Sequence, residues 1–195
     1  MTEERNLKRF WQDESGVLLA EALIMLPLLI WAFLALFVYW DLFRTINTSQ
    51  KAAYSISDLM SRQAVVSPTF VDGMKNVLDF LTMGSAGTRM RITSIQYDQP
   101  NNRYLLLFSR SSSPTKMPAY TQASVQPLKT RVPNMSHLDS VIIVETEVDY
   151  IPGFNTGVMN VGTGVSPQTF QQFIVTRPRF YRRICMTIPV CPPDP

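Results

Sequence analysis

One apolar run near the amino terminus constrains this chain more than any other feature. From Val17 to Trp40 the only charged side chain is that of Glu21, and the run exceeds the roughly 20 apolar residues that span a bilayer. The apolar centre of a secretory signal is shorter, about 7–15 residues, and a small-residue cleavage site follows it. The only Ala-x-Ala triplet, at residues 20–22, stands at the front of the run instead. We therefore predict a transmembrane helix over residues 17–40.

The helix is predicted to continue beyond the membrane. After Trp40, small and apolar residues recur at alternating spacings of four and three, which places them along one side of a helix. The first firm stop is Ser67-Pro68, so residues 41–66 are assigned to a soluble extension of the helix. Pro27 removes one hydrogen bond within the spanning part and is predicted to kink it, a change that membrane helices tolerate. The residues on the predicted buried side are Leu42, Ile46, Ser49, Ala53, Ile56 and Met60.

Residues 67–195 are predicted to form an α+β domain. Ser67 is a helix cap before a proline, and a short amphipathic helix follows and ends near Gly84. Four later segments have the alternation or the apolar character of strands. The Ser-, Pro- and Thr-rich residues 111–136 are interpreted as a long surface loop. The fold class is thus α+β, with an antiparallel sheet of about four strands packed on the extended helix. The strands are predicted to begin at Arg89, Arg103, Val141 and Thr169.

The two cysteines, Cys185 and Cys191, are six residues apart. An isolated close pair favours a disulfide in an oxidising compartment. The rival interpretation is a metal site, but zinc usually takes four ligands and the only histidine, His137, is far upstream. The sequence therefore favours the disulfide, and we predict neither a metal nor a cofactor.

No motif in the chain gives strong support to catalysis. Ser136, His137 and Asp139 crowd together, but a catalytic triad is defined by spatial roles, and close neighbours in a chain rarely face one another correctly. The glycines of residues 157–164 have the spacing of a phosphate loop without its Lys-Ser/Thr ending. We therefore predict no catalytic residue.

An arginine-rich segment lies close to the carboxy terminus. Basic residues interleaved with aromatic ones can bind nucleic acid. On the outer side of a membrane that use is disfavoured, so we predict no nucleic-acid partner. A solvated strand end remains as one interpretation, and contact with another subunit or with lipid headgroups as the other. The residues concerned are Arg177, Arg179, Phe180, Tyr181, Arg182 and Arg183.

Glu21 is the residue that most needs an explanation. A carboxylate near the centre of a spanning helix costs about 2.5–3.5 kcal/mol on insertion scales, so such residues usually mark function. The alternative is a stray glutamate close enough to the interface to reach water. The helix geometry is consistent with that alternative: Glu21 lies only about 6 Å along the helix from Val17, where the predicted span begins, and is therefore close to the membrane surface.

The segment Gly16-Val-Leu-Leu-Ala-Glu21 resembles the type IV prepilin processing signal, in which a charged leader and a glycine precede an apolar helix containing a glutamate. It resembles most closely the TadE/TadG-like pseudopilins of tight-adherence (Flp) pilus systems, whose amino-terminal segments also carry a proline six residues after the glutamate. Residues 52–63, 147–154 and 176–185 are similar to stretches in alphaproteobacterial members. Ala22 replaces a common aromatic residue of these families, and with the large carboxy-terminal domain it favours a minor pilin over a major one.

The resemblance implies both a processing event and a set of partners. A prepilin peptidase would remove the leader, residues 1–16, by cutting between Gly16 and Val17. The new ammonium of Val17 would neutralise Glu21 of a neighbouring pilin or pseudopilin in the same system. The protein would lie in the bacterial inner membrane with its carboxy-terminal domain in the periplasm, or enter a surface pilus. Two rival hypotheses are an uncleaved single-pass anchor that displays a periplasmic binding domain and, third, an enzyme.

Overall fold

In the residues that the structure describes, the chain folds into two helices, a short 3-10 helix and six strands. A computed structural model describes residues 15–82, 87–153, 165–187 and 191. Two compact units are present, one formed by residues 1–41 and 152–166 and the other by residues 42–151 and 167–195. In chain order the elements are α1 (Ser15–Ser61), β1 (Val65–Val66), α2 (Pro68–Leu81), β2 (Gly87–Asp98), β3 (Arg103–Ser111), the 3-10 helix (Gln126–Thr130), β4 (Ser140–Tyr150), β5 (Gln168–Thr176) and β6 (Cys185–Met186). The α+β class is confirmed.

Helix α1 is continuous from Ser15 to Ser61 and contains Pro27 in its interior. It ends at Ser61 rather than at the predicted Val66. Val65 and Val66 instead form β1, which pairs in parallel with β6. Branched side chains suit this extended conformation better than a helix end.

One side of the carboxy-terminal half of α1 is buried within the second unit, as the helical spacing predicts. Ser49, Ala53, Ile56 and Met60 have no exposed surface. Ile56 and Met60 belong to a core cluster with residues of α2, β2, β3, β4 and β6. Full burial of an aliphatic side chain of this size contributes about 1.5–3 kcal/mol. This half of α1 is therefore held by packing rather than by helix propensity.

Helix α2 begins as the sequence predicts. Ser67 has extended backbone angles, its hydroxyl accepts a hydrogen bond from the Phe70 N–H at 3.1 Å, and Pro68 is the first helical residue. The side chains of Val71 and Leu78 are buried in the core. The helix ends at Leu81, and the hydroxyl of Thr82 donates to the Leu78 carbonyl at 2.7 Å. Gly84, near which the sequence places the end, lies outside the described residues.

The main sheet has the strand order β3-β2-β4-β5, with every neighbouring pair antiparallel. The four predicted strands are confirmed. Residues 99–102 connect β2 to β3, and Asn102 takes a left-handed φ of 46° in this turn. Tyr97 and Tyr104 are cross-strand partners beside the turn.

The two faces of the sheet are covered differently. The helix-side face, which includes Ile92 and Ile142, packs against α1 and α2. The outer face, which includes Ile143, packs against apolar residues of the segment between β3 and β4. The prediction that residues 111–136 form a surface loop is therefore wrong in part. Val125, Leu128 and Val132 of this segment are buried and close the outer face, and Met117 is buried as well.

Glutamine side chains from the same segment complete the edge of β3. The Gln126 amide accepts from the Tyr104 N–H at 2.9 Å and donates to the Tyr104 carbonyl at 2.7 Å. Gln122 accepts from the Leu106 N–H at 2.9 Å and also donates to the Tyr104 carbonyl. These contacts take the place of a neighbouring strand, because they satisfy backbone groups that an edge leaves open.

The outer face of the sheet also carries ion pairs. Arg89 of β2 contacts Glu147 at 2.8 Å and Asp149 at 2.6 Å on β4. Arg91 contacts Glu145 at 2.7 Å and lies over the ring of Tyr120. The strand register places Arg89 opposite Glu147 and Arg91 opposite Glu145, so these are direct cross-strand pairs.

Candidate assembly site

The amino-terminal part of α1 exposes almost all of its large apolar side chains. Between Leu19 and Trp40 their exposed fractions run from 42% at Trp31 to 78% at Leu23. Ala35 and Val38 are the buried exceptions. Monomeric soluble proteins rarely expose so large a contiguous apolar patch. By length and composition α1 can cross a membrane, a test that a signal sequence near an amino terminus also passes.

Glu21 lies within this apolar surface. Its side chain is exposed, and Leu19, Leu23 and Ile24 beside it are 71–78% exposed. No other described residue forms an ion pair with Glu21. If this surface enters lipid or contacts another protein, the carboxylate loses water and must find a proton or a cation.

The predicted cleavage site lies at the start of α1. Gly16 and Val17 belong to its first turn. Residues 1–14, which make up most of the predicted leader, lie outside the described residues.

Pro27 is accommodated without ending the helix. Proline has no N–H, so the carbonyl of Leu23, four residues earlier, lacks its usual helical donor. Five aromatic residues follow on exposed positions up to Trp40, and among them Trp31, Tyr39 and Trp40 are 42%, 43% and 72% exposed. Tyr39 and Trp40 stand at the end of the apolar segment, where amphipathic rings favour a membrane–water interface.

The arginine-rich segment is partly tied to the fold. Arg177 lies 3.5 Å from Asp139, and Arg179 lies 2.6 Å from Asp58 of α1. The Arg62 hydrogen bond, helped by the charge of Arg179, holds the pKa of Asp58 below its ordinary value despite some desolvation. These contacts favour a structural role for these two arginines.

Other side chains of the arginine-rich segment remain at the surface. Phe180 and Tyr181 are 69% and 51% exposed. The Arg182 carbonyl accepts a hydrogen bond from the Ser140 hydroxyl at 2.6 Å, which fixes the backbone beneath them. Arg182 is exposed too, so a contact with a partner or with lipid headgroups would use the aromatic rings and the Arg182 guanidinium.

The cysteines and the polar loop residues have defined positions. Cys185 and Cys191 are joined as a disulfide, with Cα atoms 5.4 Å apart. The closed loop is short, so its entropic contribution to stability is small. The His137 ring accepts a hydrogen bond from the Gln99 N–H, and the Asp139 carboxylate accepts one from the Ser136 N–H. Neither contact is the His–Asp or Ser–His pairing of a catalytic triad.

Within the part of the chain that the structure describes, no three His, Cys, Asp or Glu side chains cluster closely enough to hold a metal ion. The glycine-containing residues 157–164 lie outside that part.

The structure also brings together residues that sequence reasoning did not single out. Tyr97, Tyr104, Lys129 and Asn134 line one surface cavity, although they come from three separate segments. One signal was available, because a short turn between the strands places Tyr97 opposite Tyr104. Lys129 and Asn134 carried no such signal, since their positions depend on how the loop folds over the sheet.

Comparison of the chain with protein-family models, with curated proteins and with solved structures found no match.

Proposed function

We propose that this chain is a minor pilin or pseudopilin of a tight-adherence (Flp) pilus system, acting in pilus assembly, initiation or adhesion. Residues 17–40 would anchor it in the inner membrane, and residues 67–195 would lie in the periplasm. One observation carries the proposal: Gly16, Val17 and Glu21 stand at the start of one continuous helix whose large apolar side chains between Leu19 and Trp40 are almost all exposed. The proposal assigns no catalytic residue and no cofactor.

Charge pairing gives Glu21 its role in this proposal. Cleavage after Gly16 would create an ammonium at Val17 on each subunit. Side-by-side packing of the apolar helices would remove Glu21 from water, and an unpaired buried carboxylate is strongly unfavourable. The ammonium of a neighbouring subunit would supply the counter-charge and fix the register of the two helices, because only one axial offset brings the charges together.

Processing is tested by the mass of the mature protein. The full chain is expressed with and without an active prepilin peptidase, and the intact mass and first residue are determined. We expect Val17 as the first residue with the peptidase and Met1 without it. Gly16→Leu should block cleavage, because a side chain crowds the scissile bond. Gly73→Ala is the matched control, since a Cβ there meets nothing within 4 Å. An uncut wild-type chain beside an active peptidase would refute the proposal.

Assembly is tested separately from processing. Glu21→Ala should be cleaved normally but fail to enter a sheared pilus fraction or to crosslink with neighbouring subunits. Gln50→Ala, at an exposed position farther along α1, is the matched control. Normal assembly of Glu21→Ala would contradict the pairing of this carboxylate with the ammonium of Val17.

The second candidate function is an uncleaved membrane anchor that displays a periplasmic binding domain. The length of α1 and its exposed apolar side chains favour this function as well, because a membrane anchor needs both and needs no cleavage. In that case the mature protein would begin before Val17, and Gly16→Leu would change neither its first residue nor its behaviour.

A further inference from the structure

A surface cavity of about 420 Å³ lies beside the turn between β2 and β3. Its size falls in the range of small-molecule sites, about 300–1,000 Å³. The β2–β3 hairpin contributes Tyr97, Asn102 and Tyr104, and Lys129 comes from the 3-10 helix. Residues 134–136 close the remaining side. All these residues belong to the second compact unit.

Two groups in the cavity retain unused hydrogen-bonding capacity. The Lys129 ammonium donates to the carbonyl and, at 3.1 Å, to the side-chain oxygen of Asn102, which leaves one of its three N–H groups. Tyr97 donates to the same side-chain oxygen at 3.0 Å. The Tyr104 hydroxyl forms no hydrogen bond with another described residue. Tyr104 as a whole is 4% exposed, but its hydroxyl oxygen is not among the buried oxygens that lack a partner, so it reaches the surface of the cavity. Burial raises the pKa of Tyr104, so its hydroxyl remains a neutral donor.

The lining residues determine the chemistry of a ligand. None of them is acidic, and Lys129 is their one charged side chain. Gln99, Asn134 and Ser136 add amide and hydroxyl groups, which can both donate and accept hydrogen bonds. Such a set suits a ligand with one negative charge and several hydroxyl groups.

The backbone around the cavity is strained. Leu138 adopts a φ of 65°, which is unfavourable for a bulky residue that is not glycine. It is held there by a hydrogen bond from its N–H to the Tyr97 carbonyl at 2.9 Å and by one from Gln96 to its own carbonyl. Such conformations persist where the surrounding structure enforces them, and they concentrate at ligand-binding sites. Here the strain sets the course of the chain just after residues 134–136.

We propose that this cavity binds one acidic sugar unit, a uronate, of an oligosaccharide. The carboxylate accepts hydrogen bonds from the ammonium of Lys129 and the hydroxyl of Tyr104. The sugar hydroxyls bond to the side chains of Gln99, Asn134 and Ser136. The inference does not depend on the proposed function, because it uses only residues of the second unit.

The test is a binding titration on the full chain in detergent micelles, followed by ligand-detected NMR. The probes are glucuronate, glucose and inorganic phosphate. We expect saturable glucuronate binding, with glucose binding at least about tenfold more weakly because it lacks the charge-assisted hydrogen bonds. Lys129→Gln should weaken glucuronate about tenfold. Lys116→Gln, an exposed lysine outside the cavity, is the matched control and should bind as wild type does.

Tyr104→Phe distinguishes ligand binding from a structural role. Its hydroxyl forms no hydrogen bond with another described residue, so its loss should leave the melting temperature unchanged and weaken glucuronate binding about three- to tenfold. A lower melting temperature with unchanged affinity would overturn the proposal. So would the absence of glucuronate binding, phosphate binding as tight as glucuronate binding, or equal affinity in wild type and Lys129→Gln.

Discussion

Arg89→Met should destabilise the sheet more than the substitution of any exposed charged residue, because the Arg89 guanidinium forms ion pairs with two carboxylates. The side chains of Arg89, Glu147 and Asp149 are 12%, 18% and 29% exposed. Breaking a fully buried pair costs about 3–5 kcal/mol, and an exposed pair contributes about 0.2–1 kcal/mol. This partly buried network lies between the two, so we expect a loss of about 2–3 kcal/mol.

Hydrogen exchange measured by mass spectrometry on the full chain in detergent reports this loss locally. A tenfold change in an equilibrium corresponds to about 1.4 kcal/mol. Amides of β2 and β4 should therefore exchange about thirtyfold faster or more in Arg89→Met. The matched control is Arg110→Met, which breaks the exposed pair with Asp72. That change should cost less than about 1 kcal/mol.

The effect of Arg89→Met should also depend on pH. The hydrogen bond from Arg89 is the main reason that the pKa of Asp149 lies below its ordinary value near 3.8. A carboxylate whose folded pKa is lowered adds stability above the unfolded pKa and loses it as pH falls through the folded value. The difference between wild type and variant should therefore be full at pH 7 and shrink below about pH 4. An equal difference at pH 7 and pH 3, or none at pH 7, would refute this reasoning.

Three further substitutions test the packing, the cap and the sheet edge. Ile56→Ala should reduce the free energy of unfolding of the second unit by about 2–5 kcal/mol, because the side chain is fully buried; denaturant melts followed by near-ultraviolet circular dichroism measure it. Ser67→Ala should cost about 1 kcal/mol and speed hydrogen exchange in the first turn of α2 only. Gln126→Ala removes both contacts with Tyr104 and should promote concentration-dependent association through β3, measured by sedimentation; a variant that stays dispersed would contradict the edge-capping role.

Features set by local pattern were predictable from the sequence. The spacing of Ser49, Ala53, Ile56 and Met60 identified the buried side of α1, because helix periodicity alone determines which residues share a side. The cap at Ser67 and the four strands were also predictable, because each depends on residues close together in the chain. The end of α1 could not be predicted in this way, because Val65–Val66 pair with residues more than a hundred positions later. A strand of two residues also has no periodicity that a sequence pattern could reveal.

Residues 111–136 and the ion pairs show where local pattern fails. Val125, Leu128 and Val132 are isolated among polar neighbours, so composition indicated an exposed loop. They are buried because the outer face of the sheet needs a cover, which only the assembled sheet reveals. The cavity could not be predicted for the same reason, since Lys129 approaches Tyr104 only after this segment has folded.

The attachment of β6 beside β1 has a mechanical consequence. Tension applied along α1 toward its amino end reaches Val65–Val66 through residues 62–64, and the hydrogen bonds of this strand join it to β6. The Arg179 N–H, bonded to the Ser61 carbonyl, adds a further clamp at the same junction. A stretched molecule would thus share the load between both ends of the polypeptide before its sheet begins to open.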